Sequence, residues 1–265
     1  MTPNVLSIAG VDPSGGAGIL ADCKTFAALR CYGGAVVTAL TAQNTQGVAG
    51  IHLVPPAFVA AQLDALFADL EIAAVKIGML GSPAIVAAVA QKLTQYPKTP
   101  VVLDPVLAAS SGDPLAIGDL AAAMLEDLTP LVTLITPNVA EAARFADAPE
   151  PATLAGIRKS AEQLYLRGFK SVLVTGGHIE SATADDAFFD GVAHRTFSAP
   201  RITTRNTHGT GCTLSAAIAA HLAHGLDLGA AIEAAKAYVS GSLAAAGELD
   251  VGRGPGPLHH FHRFW

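Results

Sequence analysis

The chain has 265 residues, of which 51% are hydrophobic and 14% charged. That much apolar chain builds a sizeable core and excludes disorder, and no apolar run reaches the ~18 residues of a membrane-spanning helix. The formal charge of −6 comes from 16 basic and 22 acidic side chains; without a Lys/Arg cluster it argues against a nucleic-acid partner, and an anionic substrate must be held by local devices.

In chain order, short β-type runs alternate with helical ones. The N-terminus lacks a basic flank and a long apolar core, so no signal peptide is expected. NVLSIAGVD reads as a buried strand ending in a glycine-rich turn, and GAGILADCKTFAALR has helical spacing. AVVTALTAQNT is β-rich, PAFVAAQLDALFADL helical and AAVKIGML a strand. SPAIVAAVAQKLTQY is a helix capped by Ser82 with Pro83 in its first turn. TPVVLDPVL is a strand, IGDLAAAMLEDL a helix and VTLITPN a strand. NVAEAARFA and TLAGIRKSAEQLYLRG are helices, the second ended by Gly168, and KSVLVTGG is a strand. DAFFDG to HRTFSAP breaks the rhythm and reads as a hairpin around Asp190-Gly191. Two helices then begin at about Gly209 and Asp227, and the tail GRGPGPLHHFHRFW is irregular. Apolar strands each followed by a helix predict an α/β fold, a mostly parallel central sheet with helices on both faces, in one domain over 1–265. Three scattered cysteines (Cys23, Cys31, Cys212) form no CxxC pair and suggest reduced thiols in a cytoplasm.

Ligands of such sheets bind beyond the carboxyl ends of the strands. Polar residues collect at those predicted ends: Asp12 and Ser14, Gln43 and Asn44, Asp104, Asn138, and Thr175 to His178, with Met79 among them. NTHGTGCTL, residues 206–214, sets Gly209, Thr210, Gly211 and Cys212 before an apolar helix. Unpaired amides at a helix start hold phosphate oxygens, and the glycines let an anion approach; an ordinary glycine-rich loop is the alternative. A thiol at a helix N-terminus is expected to have a lowered pKa, which suits Cys212 as acceptor of a substrate hydroxyl proton; a small packed thiol is the other reading. Asn138 and Glu141 have capping-box spacing, yet the same amide and carboxylate suit Mg²⁺. Asp104, closing an apolar strand, is costly unless it is paired or faces a site, here metal or phosphate.

AGVDPSGGAG, with Asp12, is either a phosphate loop or a turn whose backbone touches a small polar ring. Gln43 can donate and accept at once, as a pyrimidine edge requires, and Met79 is either core or a soft wall to a flat ligand. His259, His260 and His262 are a metal trio or, preferably, a packed or solvated tail. His178 and His208 receive no chemistry.

Taken jointly, AGVDPSGGAGILADCKTF, TALTAQNTQGV, KIGMLG, VLDPV, SGDPL, LITPNVAEA, GGH, FSAPRI, NTHGTGCTLSAAIAA and GPLHHFH resemble the hydroxymethylpyrimidine/phosphomethylpyrimidine kinases of thiamine biosynthesis, within the ribokinase-like superfamily. The resemblance spans nearly the whole chain. It implies a ribokinase-like fold, ATP and Mg²⁺, and a homodimer. It implies phosphorylation of 4-amino-5-hydroxymethyl-2-methylpyrimidine on its hydroxymethyl oxygen, followed by phosphorylation of that product to the diphosphate. By position, Gln43 bonds the pyrimidine, and Gly10, Met79 and Val106 line its pocket. Gly209 to Cys212 form an anion hole, with Cys212 where most ribokinase-like enzymes carry an aspartate. Asn138 and Glu141 serve the Mg²⁺-ATP side with Asp104 close by. One departure is Thr175, where the family often has lysine before GGH. A pyridoxine or pyridoxal kinase of the same fold is the nearest alternative, and a non-catalytic pyrimidine or nucleotide sensor a further one. A dinucleotide-dependent oxidoreductase lacks the expected glycine spacing.

Overall fold

The computed structural model describes residues 1–108, 115, 117–177, 179 and 181–265. His178 and most of the SGDPL stretch lie outside the described residues. Nine strands form one sheet in the order β3-β2-β1-β4-β5-β6-β7-β8-β9. They are β1 (Asn4–Val11), β2 (Tyr32–Asn44), β3 (Gly47–Leu53), β4 (Ile72–Ile77), β5 (Val101–Leu103), β6 (Leu134–Ile135), β7 (Val172–Val174), β8 (Thr183–Phe189) and β9 (His194–Pro200). The six strands from β2 to β7 in that order run parallel; β3 at one edge and β8–β9 at the other are antiparallel. The mostly parallel sheet is as expected, and the hairpin joining β8 to β9 turns at Asp190–Ala193, where Asp190 accepts from the N–H groups of Val192 and Ala193. The strand β3 is a correction. The sequence reading carried the chain from β2 straight to a helix, whereas it doubles back through Asn44–Gly47 and pairs Asn44 with Gly47 and Ala39 with Leu53.

The helices are α1 (Gly18–Ala28), α2 (Pro56–Asp69), α3 (Pro83–Leu93), α4 (Leu120–Asp127), α5 (Val139–Ala146), α6 (Leu154–Leu166), α7 (Thr210–Ala223) and α8 (Leu228–Ala244). Ser82 caps α3 through Ile85 N–H, and Gly168 follows α6 at φ +108°. Successive residues of each central strand point to opposite faces. Val5, Ala74, Val102, Leu134 and Leu173 pack with α1, α7 and α8, while Leu6, Val75, Leu103, Ile135 and Val174 pack with α2 to α6. Burial on both sides explains why these strands read as continuous apolar runs rather than alternating ones. Four alanines of α7, Ala216, Ala217, Ala219 and Ala220, are fully buried, so this helix lies close against the sheet and α8. Among the described residues no helix is long and apolar enough to cross a membrane.

Candidate active site

A cleft of about 830 Å³ opens beyond the carboxyl ends of the parallel strands. Of the site residues named from the sequence, Gly10, Asp12, Gln43, Met79, Asp104, Val106, Asn138, Glu141, Thr175 and Gly209 to Cys212 line it. Ser14 and Asn44 stand behind this wall: Ser14 is tied to Asp12, and Asn44 accepts from Gln46 N–H in the β2–β3 turn.

The apolar end is built by Met79, Val106 and Leu115, which pack with Ala39. A Cβ on Gly10 would lie 2.9 Å from the Met79 sulfur, so the glycine leaves the thioether free to form the wall. Gln43 stands beside this wall with its Oε1 3.1 Å from the Thr41 hydroxyl.

Asp12 is a tie rather than a free carboxylate. Its oxygens accept from Ser14 N–H (2.8 Å), the Ser14 hydroxyl (2.7 Å), Ala17 N–H (3.0 Å) and His208 Nε2 (2.8 Å). Hydrogen bonds to His208 and Ser14 outweigh burial and hold its pKa below the ordinary aspartate value. The loop after β1 is thereby locked to the turn before α7, and His208 acquires a role the sequence did not reveal.

At that turn Gly209 adopts φ +81°, and a Cβ there would lie 1.9 Å from the Gly16 carbonyl oxygen; both the conformation and the close approach call for glycine. The first regular helical bond is Thr213 N–H to Gly209 C=O (2.9 Å). Thr210 turns its amide (3.3 Å) and hydroxyl (2.7 Å) back to the Thr207 carbonyl. With the Thr210 amide so engaged, the amides left to receive an anion are those of Gly209, Gly211 and Cys212, which precede that first helical bond.

Cys212 reverses the pKa expectation. Burial pushes its thiol up to about 12, with Asp104 and Asp22 adding to the rise and Lys76 opposing it. The helix N-terminus does not prevail, because burial disfavours the thiolate most and the carboxylates of Asp104 and Asp22 add to it. The thiol is thereby held in its protonated form.

The other rim is anionic. Asn138 Oδ1 accepts from Glu141 N–H, and Glu141 Oε2 accepts from Asn138 N–H, both at 2.9 Å. The capping box is thus complete, and the same glutamate lines the cleft. Burial and the charge of Asp104 push the Glu141 pKa up to about 8. Asp104 is raised as well, by burial against the pull of Lys76. A buried carboxyl beside a half-buried one whose charge it disfavours is a donor set that suits a hard cation. Among the described residues no group of three His, Cys, Asp or Glu is placed to hold a metal, so phosphate oxygens and water would complete the shell. The C-terminal histidines are no such site: His259 and His260 are buried, and His260 accepts from the Tyr238 hydroxyl through its carbonyl (2.7 Å).

Two charged pairs escaped the sequence reading. Lys76, fully buried on β4, donates to both oxygens of Asp22 (3.0 and 2.9 Å) and stands 4.0 Å from Asp104. Asp22 also accepts from the Ser7 hydroxyl at 2.6 Å. Burial works against the Lys76 charge, but Asp22, Cys212 and Asp104 outweigh it and hold the ammonium protonated. Its signal was a charge inside the apolar run AAVKIGML, the same cost that drew attention to Asp104. The second pair is Lys236 with Asp186, at 2.5 Å. Asp186 also accepts from Gly176 N–H (3.0 Å), so an ammonium is tied to the residue that follows Thr175. Thr175 itself directs its N–H to the Pro137 carbonyl (2.9 Å).

The family model for phosphomethylpyrimidine kinase matches residues 12–259. The hydroxymethylpyrimidine/phosphomethylpyrimidine kinase of Rhizobium meliloti is 51% identical over 100% of this chain and 99% of its own length. That of Escherichia coli is 49% identical over 99% and 98%. Among solved structures, an ADP complex of Bacillus subtilis pyridoxal kinase superposes with a TM-score of 0.89 at 32% identity, covering 98% of each chain. Phosphomethylpyrimidine kinase from Clostridium difficile gives 0.79 at 35%, covering 90% of this chain and 98% of that one. The likeness is end to end, at identities where fold and family go together, and the chain belongs to the phosphomethylpyrimidine kinase family.

Proposed function

We propose that the chain transfers the γ-phosphoryl group of ATP to the hydroxymethyl oxygen of 4-amino-5-hydroxymethyl-2-methylpyrimidine, and then phosphorylates the monophosphate to the diphosphate. The observation that carries the reading is the shared cleft: the Gly211 and Cys212 amides open onto the same space as Gln43 and the Met79–Val106 wall. Gln43 reads the ring edge and the apolar wall holds its face, so the hydroxymethyl oxygen points toward the amide turn. Cys212 takes the proton of that oxygen, and the amides hold charge on the transferring group; positioning and electrostatics supply most of the acceleration. Magnesium, held on the Glu141 and Asp104 side, would neutralise phosphate charge. Lys236 stands where it can offset the charge that Thr175 does not supply. The working unit is a homodimer.

The test is ADP release with the hydroxymethylpyrimidine, its monophosphate and pyridoxine as parallel acceptors. We expect the two pyrimidines to be turned over with the higher kcat/KM. The likeness to the Bacillus subtilis enzyme makes a pyridoxal kinase the second reading, and preference for pyridoxine would select it. Binding of ATP and pyrimidine with no ADP release would leave a sensor.

Glu141→Gln separates the cap from the cation. Glutamine keeps the acceptor that the capping box needs, so the melting temperature stays near that of the unaltered chain while the Mg²⁺ concentration for half-maximal rate rises. Glu141→Ala also loses the acceptor for the Asn138 N–H and costs about 1 kcal/mol of stability. The pH dependence follows in sign. A carboxyl whose folded pKa is raised to about 8 from 4.5 lends stability at low pH that is lost as pH climbs through that window. Thermal melts of the metal-free protein between those limits should show the decline, and Glu141→Gln should flatten it.

A further inference from the structure

The irregular segment 252–260 runs from the β2–β3 turn to the turn before α7. At one end it rests on the β2–β3 turn, two residues beyond Gln43: the Thr45 hydroxyl oxygen accepts from Gly254 N–H at 3.1 Å. A Cβ on Gly254 would lie 1.8 Å from the Thr45 carbonyl oxygen, so backbone lies directly on backbone there. At the other end it holds the turn before α7. Gly256 N–H donates to Asn206 Oδ1 (3.2 Å), and Gly256 C=O accepts from His208 N–H (3.1 Å). Asn206 Nδ2 donates to the Ala246 carbonyl (2.6 Å), so one carboxamide ties the segment to the end of α8 as well. Beyond it, His260 Nε2 lies 3.1 Å from the Thr213 hydroxyl, within the first turn of α7.

We propose that this segment is a positioning strap for catalysis, with Asn206 its central positioning residue, holding the Gly211 and Cys212 amides in register with Gln43. The inference rests on the kinase reading. Ordinary tail packing needs only apolar contact. This segment instead makes polar bonds to two separate turns, one two residues beyond Gln43 and one leading into Gly209–Cys212, and the Asn206 carboxamide that receives it uses both its donor and its acceptor. In-line transfer needs that register, since a displacement of about 1 Å can cost on the order of 10²-fold in rate.

Asn206→Ala, Asn206→Asp and Thr45→Val are compared with the unaltered chain by steady-state kinetics, thermal melting and amide hydrogen exchange over 207–213. Asn206→Ala should lower kcat by about 10–100-fold with little change in the pyrimidine KM. It should speed exchange at Gly211 and Cys212 while β1, β4 and β5 stay protected. Asn206→Asp keeps the acceptor for Gly256 N–H and should recover part of kcat. Thr45→Val loses one acceptor at the other end, should raise the pyrimidine KM with kcat nearly unchanged, and stands in if Asn206→Ala does not fold. Unchanged kcat and exchange in Asn206→Ala would overturn the strap, as would exchange that quickens throughout the sheet with every kinetic constant falling alongside the melting temperature. If the unaltered chain releases no ADP with any acceptor, the kinase reading fails instead, and exchange over 207–213 still decides whether the strap holds the turn.

Discussion

Cys212→Ala should lower kcat by a factor on the order of 10²–10⁴, the range for loss of a positioned proton acceptor, while ATP binding stays nearly intact. Alanine keeps the amide of residue 212, so the anion-facing backbone survives and only the sulfur goes. Single-turnover kinetics with ATP titration separate the two effects, and unchanged turnover would remove Cys212 from the chemistry. The pH profile tests the form in which the sulfur acts. Burial pushes the thiol up to about 12, so the thiolate fraction grows with each step in pH below that value. Since kcat/KM reports the free enzyme, it should climb through the neutral and alkaline range in the unaltered chain and lose that limb in Cys212→Ala. A flat profile would instead place the proton-accepting step on another group of the cleft, such as Asp104. Stability carries the opposite sign. The folded chain keeps a proton that the unfolded chain sheds, so the contribution is present below the ordinary thiol pKa and lost as pH rises toward about 12.

The legible parts of the molecule are those written in neighbouring residues. The Ser82 cap, the Asn138–Glu141 box and the Gly209 turn each depend on three or four adjacent positions, and each was visible before folding. The parallel sheet followed from apolar runs separated by helices, because burial on both faces leaves no polar alternation. The strand β3 was missed because GVAGIHL offers two glycines and little β-branched character; pairing with β2 makes it a strand. The Cys212 pKa was misjudged for a related reason: the helix end is local, while the burial of the sulfur and the charges of Asp104 and Asp22 come from elsewhere in the chain. Asp12 was visible as a polar residue at a strand end, but its tie to His208 was not, because that partner is 196 residues away. The charge of Lys76 was visible in its strand, but Asp22, 54 residues distant, was not identifiable as the partner.

That pair carries the largest expected effect on stability. Lys76→Met leaves the Asp22 carboxylate fully buried without its cation, and breaking such a pair costs about 3–5 kcal/mol. For a chain of this size that is a fall in melting temperature on the order of 10 °C, measurable alongside urea denaturation. Lys76→Met combined with Asp22→Asn removes both charges at similar volume, keeps an oxygen for the Ser7 hydroxyl and should recover most of the loss. Equal destabilisation by the single and double variants would show that the pair matters through packing and not charge. Turnover then separates folding from function. A pair that serves only the fold would regain kcat together with the melting temperature in the double variant. We expect stability to return without activity, because the ammonium 4.0 Å from Asp104 would be missing from the floor of a cleft in which phosphate charge must collect beside two carboxylates.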